Sequence, residues 1–175
     1  FGYRILNGSP GGPQIEPLVL TRVDPDWAQA RDQELDVLHA RRRARVLLLG
    51  CGSLGSPLAR VLVRAGIGHL DMIDSQTMDP ENTSRHHLGL SKINKGKAGA
   101  LAGEFRAAVP GLQTEGFLME AKSWLMRHCK PGKYDLIVDC TADSGVRTFM
   151  STMRTSLFGQ APVIHAWTEP LCSAG

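Results

Sequence analysis

The sequence predicts an α/β protein, a doubly wound and mainly parallel sheet with helices on both faces. Three observations predict it. From residue 45 onward, short apolar runs alternate with segments of helical spacing. The hexad Gly50-Cys51-Gly52-Ser53-Leu54-Gly55 lies between the first run and the first helical segment. Asp74 closes the second run. A strand, a tight glycine turn and a helix in that order make the arrangement Rossmann-like.

Residues 45–49 (RVLLL) are apolar without alternation, as expected of a strand buried on both faces. Residues 54–65 carry Leu58, Val61, Leu62 and Ala65 at helical spacing, and Gly66 and Gly68 are expected to stop that helix. Residues 69–73 read as a second strand, 75–93 as a polar loop, and 95–108 as an alanine-rich helix stopped by Pro110. Residues 113–119 read as a strand, 121–129 as a short helix and 134–139 (YDLIVD) as another buried strand. A helix near 143–157 and a strand over 162–166 follow.

Upstream, residues 1–23 are rich in Gly and Pro and read as a linker or extended arm. That leaves 24–175 as the domain, which opens and closes abruptly and reads as one piece of a longer protein, truncated at its C-terminal end. Asp24 and Pro25 suit the start of a helix over about 26–42, which ends in Arg41-Arg42-Arg43. Cations at a helix C-terminus suit the macrodipole. The run reads either as a solvated helix end or as an arginine reaching into a neighbour's active site.

The 175 residues suffice for one α/β core and not for two. Hydrophobic content of 42% and charged content of 21% are ordinary for a globular domain. A net charge of +3 does not indicate a nucleic-acid or membrane surface. Cys51, Cys129, Cys140 and Cys172 form no Cys-x-x-Cys pair and have no His at zinc-ligand spacing. They read as reduced structural thiols of a cytoplasmic protein. No apolar run reaches membrane-spanning length.

Doubly wound sheets bind ligands beyond the carboxyl ends of their strands. The segments to inspect are therefore 50–55, Asp74, 82–97 and 139–143. In the hexad, Gly50 permits the tight turn, Gly52 admits a phosphate to the backbone, and Gly55 lets helix and strand approach. Together with Ser53 these residues form a candidate nucleotide cradle, because free N–H groups at a helix start favour an anion. Asp74 stands where a carboxylate holds ribose hydroxyls. A nicotinamide cofactor and ATP both fit this much.

The next segment favours ATP. Arg85, Lys92, Lys95, Lys97 and Arg106 face a single acid, Glu104. A triphosphate about to lose pyrophosphate needs cations for the developing charge. Arg85 and Lys97 are the best placed, whereas Lys92, Lys95 and Arg106 read as a solvated helix face. The octet NTSRHHLG over residues 82–89 holds two histidines, His86 and His87. Adjacent side chains usually point apart, and no Cys or third His lies near in sequence, so a metal is not the favoured reading. No aromatic residues interleave the cations, which argues against nucleic acid. Asp143, after the 134–139 strand, reads equally as a Mg²⁺ carboxylate and as a helix N-cap followed by Ser144.

Taken together, residues 45–55, Ala65-Gly-Ile-Gly68, Ile73-Asp74, Asn82-x-x-Arg85, Gly96-Lys97 and Asp139-Cys-Thr141 resemble the ThiF/MoeB/HesA and ubiquitin-activating superfamily. The resemblance covers about 45–168. The run Arg85-His86-x-Leu-Gly89 with Lys97-Ala98 looks most like the bacterial branch that includes fused activating–conjugating proteins of CBASS antiphage systems.

The resemblance implies attack of a ubiquitin-like protein's C-terminal glycine carboxylate on the α-phosphate of MgATP. Pyrophosphate leaves, and an acyl-adenylate precedes thioester transfer. It implies that Gly50, Gly52 and Gly55 cradle nucleotide and that Asp74 holds ribose. Asn82, Arg85 and Lys97 contact phosphates, with Arg85 and Lys97 catalytic. It also implies a homodimer and a conjugating-enzyme-like domain or partner.

The chain departs from the family pattern at named positions. Ala142 stands where the magnesium aspartate usually follows the Thr, and the acid comes one later, at Asp143. On a helix that offset turns the side chain by roughly 100°. Gln76 replaces a second acid, and His86 replaces a Gln. The family's catalytic cysteine and zinc pairs fall past residue 175. Cys172 lies too near the last strand for that role, and Cys140 reads as packing beneath the site. The departures leave open a catalytically inactive dimer partner of the same fold, and an NAD-dependent oxidoreductase is the other alternative.

Overall fold

The computed structural model describes residues 2–7, 12–24 and 34–168. Its first elements lie in the arm. β1 (Gly2–Leu6) and β2 (Gln14–Leu18) pair antiparallel, with Ile5 opposite Ile15. The sequence reads 1–23 as a linker or extended arm, and the pairing of its two strands is not foreseen. The arm lacks a clean alternation and holds Pro17, which has no N–H for a ladder.

The domain follows in alternation: α1 (Leu35–Arg43), β3 (Arg45–Leu49), α2 (Gly55–Arg64), β4 (His69–Asp74), α3 (Lys97–Ala108), β5 (Gln113–Leu118), α4 (Ala121–His128), β6 (Leu136–Asp139), α5 (Ser144–Thr152), α6 (Arg154–Phe158) and β7 (Val163–His165). The five strands β3 to β7 form one parallel sheet in the order β5-β4-β3-β6-β7. The chain winds outward from β3 to β5, then crosses to β6 and winds the other way. The loops after β3 and β6 therefore diverge, and a crevice opens between them.

Strand alternation divides the core. Val46 and Leu48 of β3 pack with Ala59, Val63, Leu101 and Phe105 of α2 and α3 on one face. Leu47 and Leu49 pack with Trp124, Leu125, Val146, Met150 and Phe158 of α4, α5 and α6 on the other. Val46, Leu47, Leu48 and Leu49 of β3 are all buried, which is why the run shows no polar alternation.

Several boundaries move. Glu34 has extended backbone (φ −62°, ψ 128°), so no single helix runs from 26 to 42; residues 25–33 lie outside the described residues. Arg41 is not a solvated helix end. Its Nη1 reaches the Ala65 carbonyl at 3.5 Å, where that basic side chain meets the C-terminal end of α2. Gly66, with φ 91°, ends α2, but Gly68 serves another purpose: a β-carbon there would overlap the Arg42 carbonyl oxygen. The helix expected over 143–157 breaks at Met153, and the redirected α6 buries Leu157 and Phe158. Val109 is extended, as a residue before proline prefers, and α3 stops there. Among the described residues no helix is long and apolar enough to cross a membrane.

Candidate functional site

The crevice holds a cavity of about 320 Å³. Gly50, Gly52, Asp74, Gln76, Thr141 and Asp143 supply its polar side, and Ile73, Met119, Ala121 and Val146 its apolar side.

The glycine loop is shaped by close approaches. Gly50 has φ 83°, and a β-carbon there would lie 2.7 Å from the Cys140 carbonyl. A β-carbon on Gly55 would overlap the Gly50 carbonyl oxygen. At Gly52 it would meet nothing within 4 Å. The fold therefore requires glycine at 50 and 55, whereas at 52 the space faces the cavity. Ser53 is exposed at the turn and Gly55 opens α2.

Asp74 is half-buried at the end of β4. Its Oδ2 accepts from Cys51 N at 2.6 Å and its Oδ1 from Gln76 N at 2.7 Å. It thus braces the glycine loop. An ionised carboxylate has further lone pairs, so this leaves capacity for hydroxyl donors in the cavity.

Lys97 is only 4% exposed, at the first turn of α3. Its Nζ donates to Gln76 Oε1 at 2.7 Å, and its backbone N–H to the Gln76 carbonyl at 3.0 Å. Gln76 lines the cavity, so the position that lacks a second acid carries the amide that steers Lys97. No carboxylate pairs with this ammonium among the described residues. A buried charge in that condition favours an anionic ligand.

The octet behaves as a clamp. His86 Nε2 lies 2.6 Å from the Cys51 carbonyl, and its Nδ1 accepts from Leu88 N at 3.0 Å. His87 N–H donates to the buried Ser56 hydroxyl at 3.0 Å, and its ring stacks on Phe105 and lies 3.3 Å from Glu104. Burial pulls the His86 pKa below its ordinary value, with the charge of Lys97 adding to the effect. Asn82 accepts from Asp79 N at 3.2 Å, capping the turn Pro80–Asn82. Arg85 is exposed on that loop. Neither Asn82 nor Arg85 lines the 320 Å³ cavity.

On the opposite side, Asp143 caps α5. Its Oδ1 accepts from Gly145 N at 2.7 Å and Val146 N at 3.0 Å. These backbone donors, the Val146 N–H foremost, hold its pKa below the ordinary carboxylate value, helped by Lys122. The helix starts at Ser144, and Ala142 has φ 56°. Positions 142 and 143 are therefore not helical, and the 100° offset expected on a helix does not apply. Asp143 faces the cavity as a cap. Asp74, Glu120 and Asp143 bring carboxylates to the cavity, and oxygen donors of this kind suit Mg²⁺, which keeps water ligands and needs no protein cage.

Burial disfavours the thiolate form of Cys51, Cys129 and Cys140. Burial, then Asp74, pushes Cys51 well above the ordinary thiol value, and burial raises Cys140 to about 11. Cys140 packs against the core under the glycine loop, as expected from the sequence. Cys172 lies outside the described residues. The sequence singled out Gln76 only as a departure from the family pattern, not as the partner of Lys97, and it did not single out Ser56 or His165.

Residues 28–169 match the ThiF family. The ATP-dependent ubiquitin transferase-like protein Cap2 of Pseudomonas aeruginosa is 27% identical over 162 residues, 90% of this chain and 28% of that protein. The adenylyltransferase and sulfurtransferase UBA4 of Yarrowia lipolytica is 29% identical over 125 residues, 71% of this chain and 31% of that protein. The chain thus spans under a third of the length of these curated relatives. Among solved structures, the Escherichia coli tRNA N6-threonylcarbamoyladenosine dehydratase TcdA in complex with ATP aligns with TM-score 0.67 at 20% identity, over 83% of this chain and 61% of that one. Escherichia coli MccB with AMPCPP and MccA aligns with TM-score 0.64 at 19% identity, over 74% and 38%. Those likenesses show a shared fold. With its glycine loop, its strand order and a match over residues 28–169, the chain belongs to the ThiF family.

Proposed function

We propose that this domain activates a carboxylate by ATP-dependent adenylation. The target is the C-terminal glycine of a ubiquitin-like or related protein. The observation that carries the reading is Lys97: a buried ammonium with no carboxylate partner among the described residues, held by the amide of Gln76, which itself lines the cavity. An oxidoreductase that holds a pyrophosphate by backbone N–H groups has no use for it.

In this reading the N–H groups at the start of α2 and the space over Gly52 receive phosphates. Asp74 orients the ribose while bracing Cys51. Met119, Ile73 and Val146 give the base an apolar wall. Lys97 neutralises charge as pyrophosphate departs, and Arg85 approaches from the loop that His86 fixes to the glycine turn. Asn82 holds the shape of that loop and presents its amide near the phosphates. Asp143 would hold Mg²⁺, which supplies Lewis-acid neutralisation of the phosphate oxygens.

The likeness to the Cap2 proteins favours a ubiquitin-like target, a later thioester step, a conjugating-enzyme-like domain or partner, and a setting in antiviral defence. A homodimer fits the family resemblance.

ATP–pyrophosphate exchange tests the proposal. It is expected to depend on the cognate protein tail and on magnesium. Arg85→Ala and Lys97→Ala should each lower it by about 10²–10³, the usual loss for one charge-stabilising donor. Unchanged exchange in both variants would sink the assignment. Calorimetry with NAD in place of ATP separates the oxidoreductase alternative, and absence of magnesium-dependent ATP binding would mark an inactive dimer partner.

A further inference from the structure

Asp139, at the end of β6, is 4% exposed, and both of its oxygens are engaged. Oδ1 accepts from Thr141 N at 2.9 Å and from Thr141 Oγ1 at 2.6 Å. Oδ2 lies 2.8 Å from Nδ1 of His165. Asp139 and His165 are register partners on the parallel strands β6 and β7, which brings the ring to the carboxylate. Because the carboxylate can only accept, Nδ1 carries the proton.

The contacts continue toward the cavity. Thr141 Oγ1 accepts from Asp143 N at 3.3 Å, and Thr141 and Asp143 both line the cavity. Between them Ala142 sits at φ 56°, a conformation that a residue with a β-carbon rarely adopts without support. Asp139 supplies that support through Thr141. A carboxylate this buried needs its second oxygen satisfied as well, or it turns away to find a donor.

We propose that His165 is a positioning residue. Its Nδ1–H fixes Asp139, Asp139 fixes Thr141, and the 140–143 loop is thereby held so that Thr141 and Asp143 face the bound phosphates. The part concerning phosphates rests on the nucleotide reading of the cavity given above; the part concerning the loop does not.

The test compares His165→Ala, His165→Asn and Thr141→Val in the full-length protein. Asn offers an amide N–H near the place of Nδ1, Ala offers nothing, and Val at 141 cuts the next link. Amide hydrogen exchange across residues 140–146 is read without nucleotide, and ATP affinity is read by calorimetry with magnesium. We expect H165A and T141V to exchange faster than wild type and to bind ATP at least about tenfold more weakly, with H165N within about threefold of wild type. Wild-type protection in H165A overturns the proposal, as does an H165N as damaged as H165A. If H165A does not fold, wild-type affinity and protection in T141V overturn it. A wild-type protein that binds no ATP defeats the nucleotide reading instead, and the exchange measurement still decides the loop.

Discussion

His86 Nε2 lies 2.6 Å from the carbonyl oxygen of Cys51, and this contact joins the Arg85 loop to the glycine turn 35 residues earlier. Its other nitrogen accepts from Leu88 N, so the neutral Nε2–H tautomer is the one that satisfies both partners. A protonated ring would set a donor against the Leu88 N–H.

Acid should therefore loosen the clamp. Burial, with the nearby charge of Lys97, lowers the folded-state pKa of His86, against the opposing pull of the Cys51 carbonyl and Asp74. The unfolded chain takes up its proton first, near the ordinary value of about 6.5. The contribution is then intact above that value and lost as pH falls through the lower, folded value. Melting temperatures at about pH 7.5 and about pH 5.5 check this, since those conditions bracket the ordinary histidine value. Wild type should lose more than His86→Gln, whose amide does not titrate; equal losses would refute the clamp.

Gly52 and Gly55 should separate binding from folding. Gly52→Ala meets no protein atom within 4 Å, so it should melt like wild type yet bind ATP at least about tenfold more weakly. Gly55→Ala would strike the Gly50 carbonyl, and overpacking of this kind is expected to destabilise by about 1–3 kcal/mol. Denaturant midpoints and calorimetry measure the two effects. A destabilised G52A with normal affinity would contradict the assignment.

Lys97→Met should trade function for stability. A buried ammonium held by one amide carries a desolvation cost that a thioether of similar length avoids. The variant is expected to be at least as stable as wild type while exchange activity falls by about 10²–10³. Marked destabilisation would show that Lys97 is structural.

Substitution can split the observed cap of Asp143 from its proposed hold on magnesium. Asn retains an oxygen for the Gly145 and Val146 N–H groups, whereas Ala does not. Asp143→Asn should keep the wild-type melting temperature but require more magnesium for ATP binding. Asp143→Ala should lose both. A D143N titrating with magnesium as wild type does would leave Asp143 as a cap alone.

Local patterning along the chain was enough to place the sheet and its ligand edge. Uninterrupted apolar runs such as 45–49 mean strands covered on both faces, and the glycine hexad between strand and helix, with Asp74 at the next strand end, locates the crevice. Lys97 and Arg85 were legible as cations in the segment that follows β4.

Which groups those residues meet became visible in the folded chain. Gln76 read as a missing acid and proved to be the partner of Lys97, while His86 read as a substituted amide and proved to be a brace. Asp143 looked misplaced by one residue, until the left-handed Ala142 showed that no helix connects it to that position. The Asp139–His165 contact spans 26 residues and exists because two parallel strands are in register. Periodicity and turn chemistry act over a few residues and are written locally. Hydrogen-bond partners depend on register and packing between distant segments, which only the folded chain brings together.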